Sequence, residues 1–227
     1  MMKIQVPFFR AELNEQEVEE VVATLRSGWL TSGPKVRRFE QEFAAAVGAP
    51  HAVAVNSCTA ALHLAVEALG LKPGQAVLVP TMTFAATAEV VRYMGAIPIL
   101  VDCDPLTTNM DLGDAARKLA RLKSGQLANA LPQGLQAAGI MPVHVGGMMM
   151  NIEALQNFST GQGLWVVEDA AHGFPRHGGG RRRSDGSAAA KGRRRRVASP
   201  FMRTKLLPPA KAAWPSLMMP HWLKGCD

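Results

Sequence analysis

The 227-residue chain has few cysteines, few aromatic residues and no long apolar run. Its three cysteines, Cys58, Cys103 and Cys226, are scattered and odd in number, which excludes a disulfide framework and the CxxC spacing of a zinc site. A reducing, cytoplasmic setting is therefore expected. The first ten residues, MMKIQVPFFR, lack an apolar stretch of signal-peptide length, and no segment approaches the roughly 20 residues of a membrane span. We expect no membrane partner.

Acidic residues are nearly absent from the last part of the chain. Through Gly173 the sequence has 12 Lys and Arg against 16 Asp and Glu, and after it 13 against only Asp185 and Asp227. The formal charge of +7 therefore comes from this tail alone. Because the tail is rich in Arg, Gly, Ala and Pro and has no hydrophobic period, we predict a partial domain over residues 1–173 and a disordered tail without a domain over 174–227.

Short apolar runs alternate with helical patterns through the first three quarters of the chain. After two helices at 14–27 and 34–47, strands are predicted at 51–55, 76–79, 97–101, 140–145 and 164–167, and helices at 59–69, 85–94, 112–122 and 152–158. The strands are continuous Val, Ile and Leu runs, as expected when both faces are covered. This alternation predicts an α/β fold with a parallel, doubly wound sheet, in which ligands bind at the carboxyl ends of the strands.

Several polar or aromatic residues follow these predicted strands, and each allows two interpretations. The loop 56–60 offers backbone N–H groups and two hydroxyls, Ser57 and Thr59, which suit either a phosphate or an ordinary helix cap. Asp169 either needs a buried cationic partner or caps the next turn. Phe84 taken alone is an ordinary core aromatic, and His172 taken alone is a structural or surface residue.

In order along the chain, these residues lie in segments that resemble the DegT/DnrJ/EryC1/StrS family. The matching stretches are VPFFR (6–10), SGWLTSGPKVRRFEQEF (27–43), AVNSCTAALHLAVEALGL (54–71), VPTMTFAAT (79–87) and VVEDAAH (166–172). The family consists of aminotransferases of fold type I that depend on pyridoxal 5'-phosphate and act mostly on nucleotide-linked keto-sugars. The resemblance thus implies an incomplete large domain of that fold, with a mostly parallel sheet.

The resemblance also implies roles for individual residues. It assigns the cofactor phosphate to Ser57, Cys58 and Thr59, and stacking on the pyridine ring to Phe84. It pairs Asp169 with the ring nitrogen, which such a carboxylate keeps protonated so that the ring acts as an electron sink. It places His172 near the ring hydroxyl. The segment 144–150, HVGGMMM, departs from the commoner ending of its strand, which leaves the substrate open.

The family's lysine, which forms a Schiff base with the cofactor, has no counterpart in the expected motif, SFxxxK followed by Gly-Glu-Gly-Gly. Residues 199–223 can be reverse-translated so that, with a T in front, regrouping one nucleotide earlier reads FSFYANKTITTGEGGMAVTDDAALA. Our hypothesis is a frameshift near residues 173–176, natural or from sequencing. The lost lysine codon would straddle those of Thr204 and Lys205, so Lys205 is the candidate that remains.

The resemblance implies transamination of a nucleotide-linked keto-sugar, with an amino-acid donor such as glutamate, by a homodimer. Without the lysine motif the chain as written is expected to be inactive. Two alternatives are a non-catalytic remnant and a nucleic-acid-binding protein that uses the Arg-rich segment 176–196. The scarcity of aromatics among those arginines makes nucleic acid the less favoured partner.

Overall fold

The computed structural model describes residues 13–127, 131–132 and 134–173, together with the backbone of Met202–Lys205. Its contacts divide the chain into two compact units, Met1–Phe39 and Glu40–Asp227. Most of the predicted tail, including the Arg-rich segment, lies outside the described residues.

The first unit begins with helix α1, Glu15–Ser27, which carries a capping box. Asn14 Oδ1 accepts a hydrogen bond from the Gln16 N–H (2.9 Å), and Glu17 Oε2 accepts one from the Asn14 N–H (2.8 Å). Gly28 ends the helix in the left-handed region, at φ 71°. Both ends of α1 are therefore fixed by local sequence, as the pattern of residues 14–28 predicts.

Glu20 joins α1 to the start of helix α2, Pro34–Ala46, within the same unit. Its carboxylate pairs with Lys35 and accepts a hydrogen bond from Arg38 Nη2 at 2.8 Å. Hydrogen bonds from Lys35 and Arg38 lower the pKa of Glu20 to about 2. All three side chains are largely exposed, so these ion pairs orient the helices more than they stabilise them.

The second unit is built on a five-stranded sheet with the order β2-β1-β3-β4-β5. The strands are β1 Gln75–Pro80, β2 Ile97–Val101, β3 Gln136–Ile140, β4 Trp165–Asp169 and β5 Met202–Lys205. The helices are α3 Cys58–Ala68, α4 Ala86–Tyr93, α5 Leu112–Lys123 and α6 Ile152–Gln162, with a 3-10 turn at Val145–Gly147. The first four strands are parallel, and β5 runs antiparallel to β4.

Helices cover both faces of the sheet. Successive strand residues point to opposite sides, so neighbouring residues of one strand pack against different helices. Leu78 and Val166 belong to a core cluster with residues of α5 and α6. Their neighbours Val79 and Val167 belong to a second cluster, with residues of α3 and α4. The continuous apolar strands predicted from the sequence thus belong to a sheet that is buried on both sides.

The structure differs from the predicted elements at two places. Residues 51–55 form no strand, and the Ala54 N–H donates to Glu40 Oε1 (2.8 Å) rather than to a neighbouring strand. The strand predicted at 140–145 ends at Ile140 instead, because Pro142 has no N–H to continue the ladder. Beyond it only an isolated bridge joins Val143 to Asp169.

Strand β5 differs from the expectation of a tail without regular structure. Its four residues pair with β4, with Met202 opposite Asp169 and Lys205 opposite Val166. A strand requires only a neighbour with free N–H and C=O groups, and β4 offers these along its outer edge. The rest of residues 174–227 lies outside the described residues.

Gly139 in β3 is required by the indole of Trp165 in β4. A Cβ at position 139 would lie 2.2 Å from two atoms of that ring. These strands are hydrogen-bonded neighbours, with Gly139 opposite Trp165. The glycine thus lets the indole lie directly against the β3 backbone.

We expect the substitution Gly139→Ala to destabilise the protein by about 1–3 kcal/mol, the usual cost of overpacking. Gly161 is the matched control, since it lies in α6 and a Cβ added there would meet no atom within 4 Å. Gly161→Ala should be neutral or stabilising by up to about 1 kcal/mol, through helix propensity. Urea unfolding of both variants measures this difference, and equal stabilities would contradict the packing role of Gly139.

Candidate functional site

The site centres on Asp169, the last residue of β4, which is 6% exposed. Its Oδ1 accepts hydrogen bonds from the Ala171 N–H (3.1 Å) and from the Cys58 thiol (3.6 Å). Its Oδ2 accepts one from the Thr87 hydroxyl (3.2 Å). The carboxylate therefore joins β4 to the first turns of α3 and α4, and these three donors are uncharged.

Thr87 and Thr83 form a short chain of hydroxyl groups behind this carboxylate. Thr87 is completely buried, and its Oγ1 lies 2.7 Å from Thr83 Oγ1. Thr87 donates its hydrogen to Asp169 Oδ2, and Thr83 Oγ1 lies within hydrogen-bond distance of both Thr87 Oγ1 (2.7 Å) and the Phe84 carbonyl oxygen (3.2 Å). Neither threonine was predicted as a site residue from the sequence. The sequence feature that could have identified them is a pair of hydroxyl residues four positions apart, one just before α4 and one in its first turn. The other buried residues of α4 are apolar.

Cys58 is held as a protonated thiol. Burial, and after it the negative charge of Asp169, raises the pKa of Cys58 to about 12. A thiol with such a pKa donates to the carboxylate and is a poor nucleophile at neutral pH. The environment of Cys58 therefore favours a binding role over a reactive one.

The N-terminus of α3 lies beside Asp169 because Cys58 is its first residue. Ser57 caps the helix, and its Oγ accepts from the Ala60 N–H at 3.1 Å. The Ala61 N–H reaches Ser57 O (3.1 Å), so the N–H groups of Cys58 and Thr59 precede the first intrahelical donor. Those two N–H groups and the helix dipole can hold an anion such as a phosphate.

Phe84 and His172 are exposed members of the predicted set, as is Ser57. Phe84 precedes α4 and is 79% exposed, so it is not the core aromatic that its sequence alone would suggest. His172 Nδ1 accepts a hydrogen bond from the Gly146 N–H at 3.3 Å. An exposed phenyl ring can stack on a planar ligand, and the imidazole keeps its second nitrogen for a further contact.

A second acidic side chain, Glu168, lies on the other side of β4. Its Oε2 is 3.0 Å from His144 Nε2, and the two side chains are 1% and 0% exposed. His144 Nδ1 accepts from the Met150 N–H at 3.3 Å. Both residues lie near predicted strand ends, but the sequence predicted a role for neither.

The backbone register places Lys205 away from Asp169. Because β5 is antiparallel to β4, Met202 is opposite Asp169 and Lys205 is opposite Val166. Three residues of strand span about 10 Å. The site therefore comprises five of the predicted residues at one sheet edge, namely Ser57, Cys58, Thr59, Phe84 and Asp169. His172 lies beside them on the loop that follows β4. Lys205 is not part of this group.

This set of residues fits pyridoxal 5'-phosphate. A buried carboxylate whose described partners are all neutral can accept a protonated ring nitrogen as its cation. A helix N-terminus suits the phosphate, and an exposed phenyl ring suits the face of the pyridine. The parallel sheet, with these residues at its carboxyl edge, is an α/β fold of the kind that binds a cofactor at the ends of its strands.

The chain belongs to the DegT/DnrJ/EryC1/StrS aminotransferase family, whose model matches residues 11–191. The spore coat polysaccharide biosynthesis protein SpsC of Bacillus subtilis strain 168 is 42% identical in an alignment of 173 residues that covers 74% of this chain and 39% of that protein. Members of the family are aminotransferases, and they use pyridoxal phosphate.

Solved structures give the same assignment. A DegT DnrJ EryC1 StrS aminotransferase from Brucella abortus is 32% identical with a TM-score of 0.62, over 69% of this chain and 41% of that one. The putative sugar aminotransferase Spr1654 from Streptococcus pneumoniae, in its PLP-form, is 30% identical with a TM-score of 0.61, over 74% of this chain and 43% of that one. It has also been solved in a PMP-form. The chain spans about two fifths of the length of these relatives.

Two other kinds of feature are absent from the described residues. Among them no helix is both long and apolar enough to cross a bilayer. No cluster of three or more His, Cys, Asp or Glu side chains suited to a metal ion occurs in the same part of the chain.

The environment of Cys58 predicts a slow reaction with iodoacetamide that accelerates only toward the raised pKa of about 12. Asp169→Asn removes the charge that is the second cause of this shift, so alkylation of Cys58 at pH 9 should become faster. Burial, the larger cause, should still keep the rate below that of Cys103, which shows no such contact with Asp169. Peptide mass spectrometry measures both rates, and an unchanged Cys58 rate in the variant would contradict the contact.

Proposed function

We propose that this chain derives from an enzyme that transfers an amino group to a nucleotide-linked keto-sugar, with pyridoxal 5'-phosphate as cofactor and an amino acid such as glutamate as donor. The observation that carries the proposal is the buried Asp169 carboxylate with three uncharged donors, beside a helix N-terminus. Membership of an aminotransferase family supports it. So does the name of SpsC, a protein of polysaccharide biosynthesis.

Each residue of the site has a part in this proposal. Ser57, Cys58 and Thr59 hold the phosphate, through backbone N–H groups and hydroxyls at the start of α3. Phe84 stacks on the pyridine ring, and Asp169 holds a proton on the ring nitrogen. When bound, the cofactor supplies an electron sink for the carbon that loses a proton.

His172 keeps a nitrogen available for a polar group of the cofactor. Its Nδ1 already accepts from Gly146, so its neutral form carries the hydrogen on Nε2. We place this Nε2–H near the ring hydroxyl. The donor amino acid and the keto-sugar would use the same site in turn.

The chain as written does not supply the lysine that this chemistry needs, and we propose that it is inactive. Lys205 lies opposite Val166 in the backbone register, about 10 Å along the strand from Asp169. A misplacement of a single ångström already reduces rates strongly. We attribute the missing motif to a frameshift near residues 173–176, with residues 1–173 as the partial cofactor domain and 174–227 as an out-of-frame tail.

The setting of the enzyme is also part of the proposal. We propose that the full-length protein is cytoplasmic and acts as a homodimer. Its partners would be a nucleotide-sugar and an amino-acid donor rather than nucleic acid. The scattered cysteines and the mildly acidic composition through Gly173 support this setting.

Pyridoxamine 5'-phosphate is the ligand with which to test the site, because it needs no lysine for attachment. The full chain should bind it, and Asp169→Asn should weaken binding about 10- to 100-fold, the usual worth of a hydrogen bond to a charged group. Glu153→Gln, at an exposed position in the first turn of α6, is the control and should bind normally. Fluorescence titration measures the affinities, and equal affinity of D169N and the parent would refute the assigned role.

The frameshift hypothesis predicts one missing or extra base near the codon for Gly173, found by resequencing from Asp169 to Lys205. With the frame restored, borohydride should trap pyridoxal phosphate on the new lysine and transamination should be measurable. The chain as given should show no trapped cofactor, and Lys205→Ala should not change that result. A cofactor adduct on Lys205 of the unaltered chain would overturn the proposal that it is inactive.

A further inference from the structure

Two loops at the carboxyl edge of the sheet are joined by several contacts, of which the proposed function uses only the hydrogen bond between Gly146 and His172. His144 N donates to Asp169 O (3.0 Å), and Asp169 N donates to Pro142 O (2.9 Å). Gly146 N donates to His172 Nδ1 (3.3 Å). A side chain at Gly147 would meet the His172 carbonyl oxygen at 2.8 Å. The segment 144–147 therefore lies directly against the loop that carries Asp169 and His172.

The buried pair His144–Glu168 anchors this segment, and its hydrogen bonds fix where the protons lie. His144 Nδ1 accepts from the Met150 N–H, so its hydrogen is on Nε2 and is donated to Glu168 Oε2. The imidazole thus joins His144, which precedes the turn, to Met150, which follows it, and attaches both to β4. Since both side chains are at most 1% exposed, loss of either partner leaves a buried polar group unpaired.

We propose that His144 and Glu168 are positioning residues for the cofactor site. Their hydrogen bond fixes the 3-10 turn Val145–Gly147, and the Gly146 N–H of that turn holds His172 so that its Nε2–H is presented to the ligand. The proposal rests on the proposed function only for the identity of that ligand. It also gives the unusual segment HVGG a use: its two glycines, at φ 56° and 78°, allow the turn to approach His172.

The first test changes the contact without touching the buried pair. Gly147→Ala places a Cβ against the His172 carbonyl, whereas Gly125→Ala, at a similar φ of 70°, meets nothing within 4 Å. Both glycines have a similar positive φ, so the contact with His172 is what distinguishes the two variants. In the full chain we expect G147A to weaken pyridoxamine 5'-phosphate binding at least fivefold, and G125A to leave it unchanged.

The second test asks whether Glu168 acts through His172. Glu168→Leu removes the acceptor, and Glu168→Gln keeps an oxygen that can accept from His144 Nε2. We expect E168L to weaken pyridoxamine phosphate binding about fivefold and E168Q to restore most of it. In a His172→Ala background the effect of E168L should disappear. An equal effect of E168L with and without His172 would show a merely structural role and overturn the proposal.

Hydrogen exchange of the Gly146 amide separates this inference from the proposed function. E168L should speed that exchange about tenfold, and E168Q should not. If no variant binds pyridoxamine phosphate but the Gly146 amide responds in this way, the proposed function fails and the positioning of the turn stands. If the amide does not respond to E168L in folded protein, the positioning role is refuted whatever the binding data show.

Discussion

The site depends on one buried carboxylate. Asp169 lies at the end of an apolar strand, where an unpaired negative charge is costly. Three uncharged donors from three parts of the chain reduce that cost: a thiol from α3, a hydroxyl from α4 and the Ala171 N–H. They do not neutralise the charge. What remains is a negative charge held in one orientation, as the proposed pairing with a cationic ring nitrogen requires.

Strand β4 ends in two acidic residues, Glu168 and Asp169, whose side chains point to opposite faces of the sheet. Asp169 points to the side of the sheet covered by α3 and α4, and Glu168 points to the side covered by α5 and α6, because neighbouring strand residues alternate. Glu168 finds a histidine there, and Asp169 finds only neutral donors. Glu168 therefore has its partner within the described residues, whereas Asp169 is the acid that the proposed function assigns to the ligand.

Much of this arrangement could be predicted from the sequence, because it follows from periodicity and strand ends. Continuous apolar runs such as Ala76–Val79, alternating with helical patterns, predict a parallel sheet that is covered on both faces. The run that precedes Asp169 places this residue at the carboxyl end of a strand. Residues 51–55 show the limit of that method. An apolar run predicts a strand, but a strand forms only where a neighbouring strand is available for hydrogen bonding. Strand β3 shows another, since Pro142 ended the ladder within a run that looked continuous.

The supporting residues of the site were harder to find because their roles exist only in three dimensions. Thr87 is 82 residues from Asp169 in sequence, and its role follows from burial and one hydrogen bond. His144 was predicted within the strand at 140–145, and only its contact with Glu168 shows that it is an anchor. No spacing rule connects such residues.

The sequence of β4 does not by itself fix which of its residues face each side of the sheet. Trp165 is followed by two valines and then by two acids, so a shift of one residue would place a valine on each face and an acid beside each core as before. Hydrophobic patterning alone barely distinguishes the two alignments. The contact of the Trp165 indole with the bare backbone of Gly139 favours the observed alignment, because a Cβ at position 139 would meet that ring. A contact away from the carboxyl edge therefore helps to set which of the two acids faces α3 and α4.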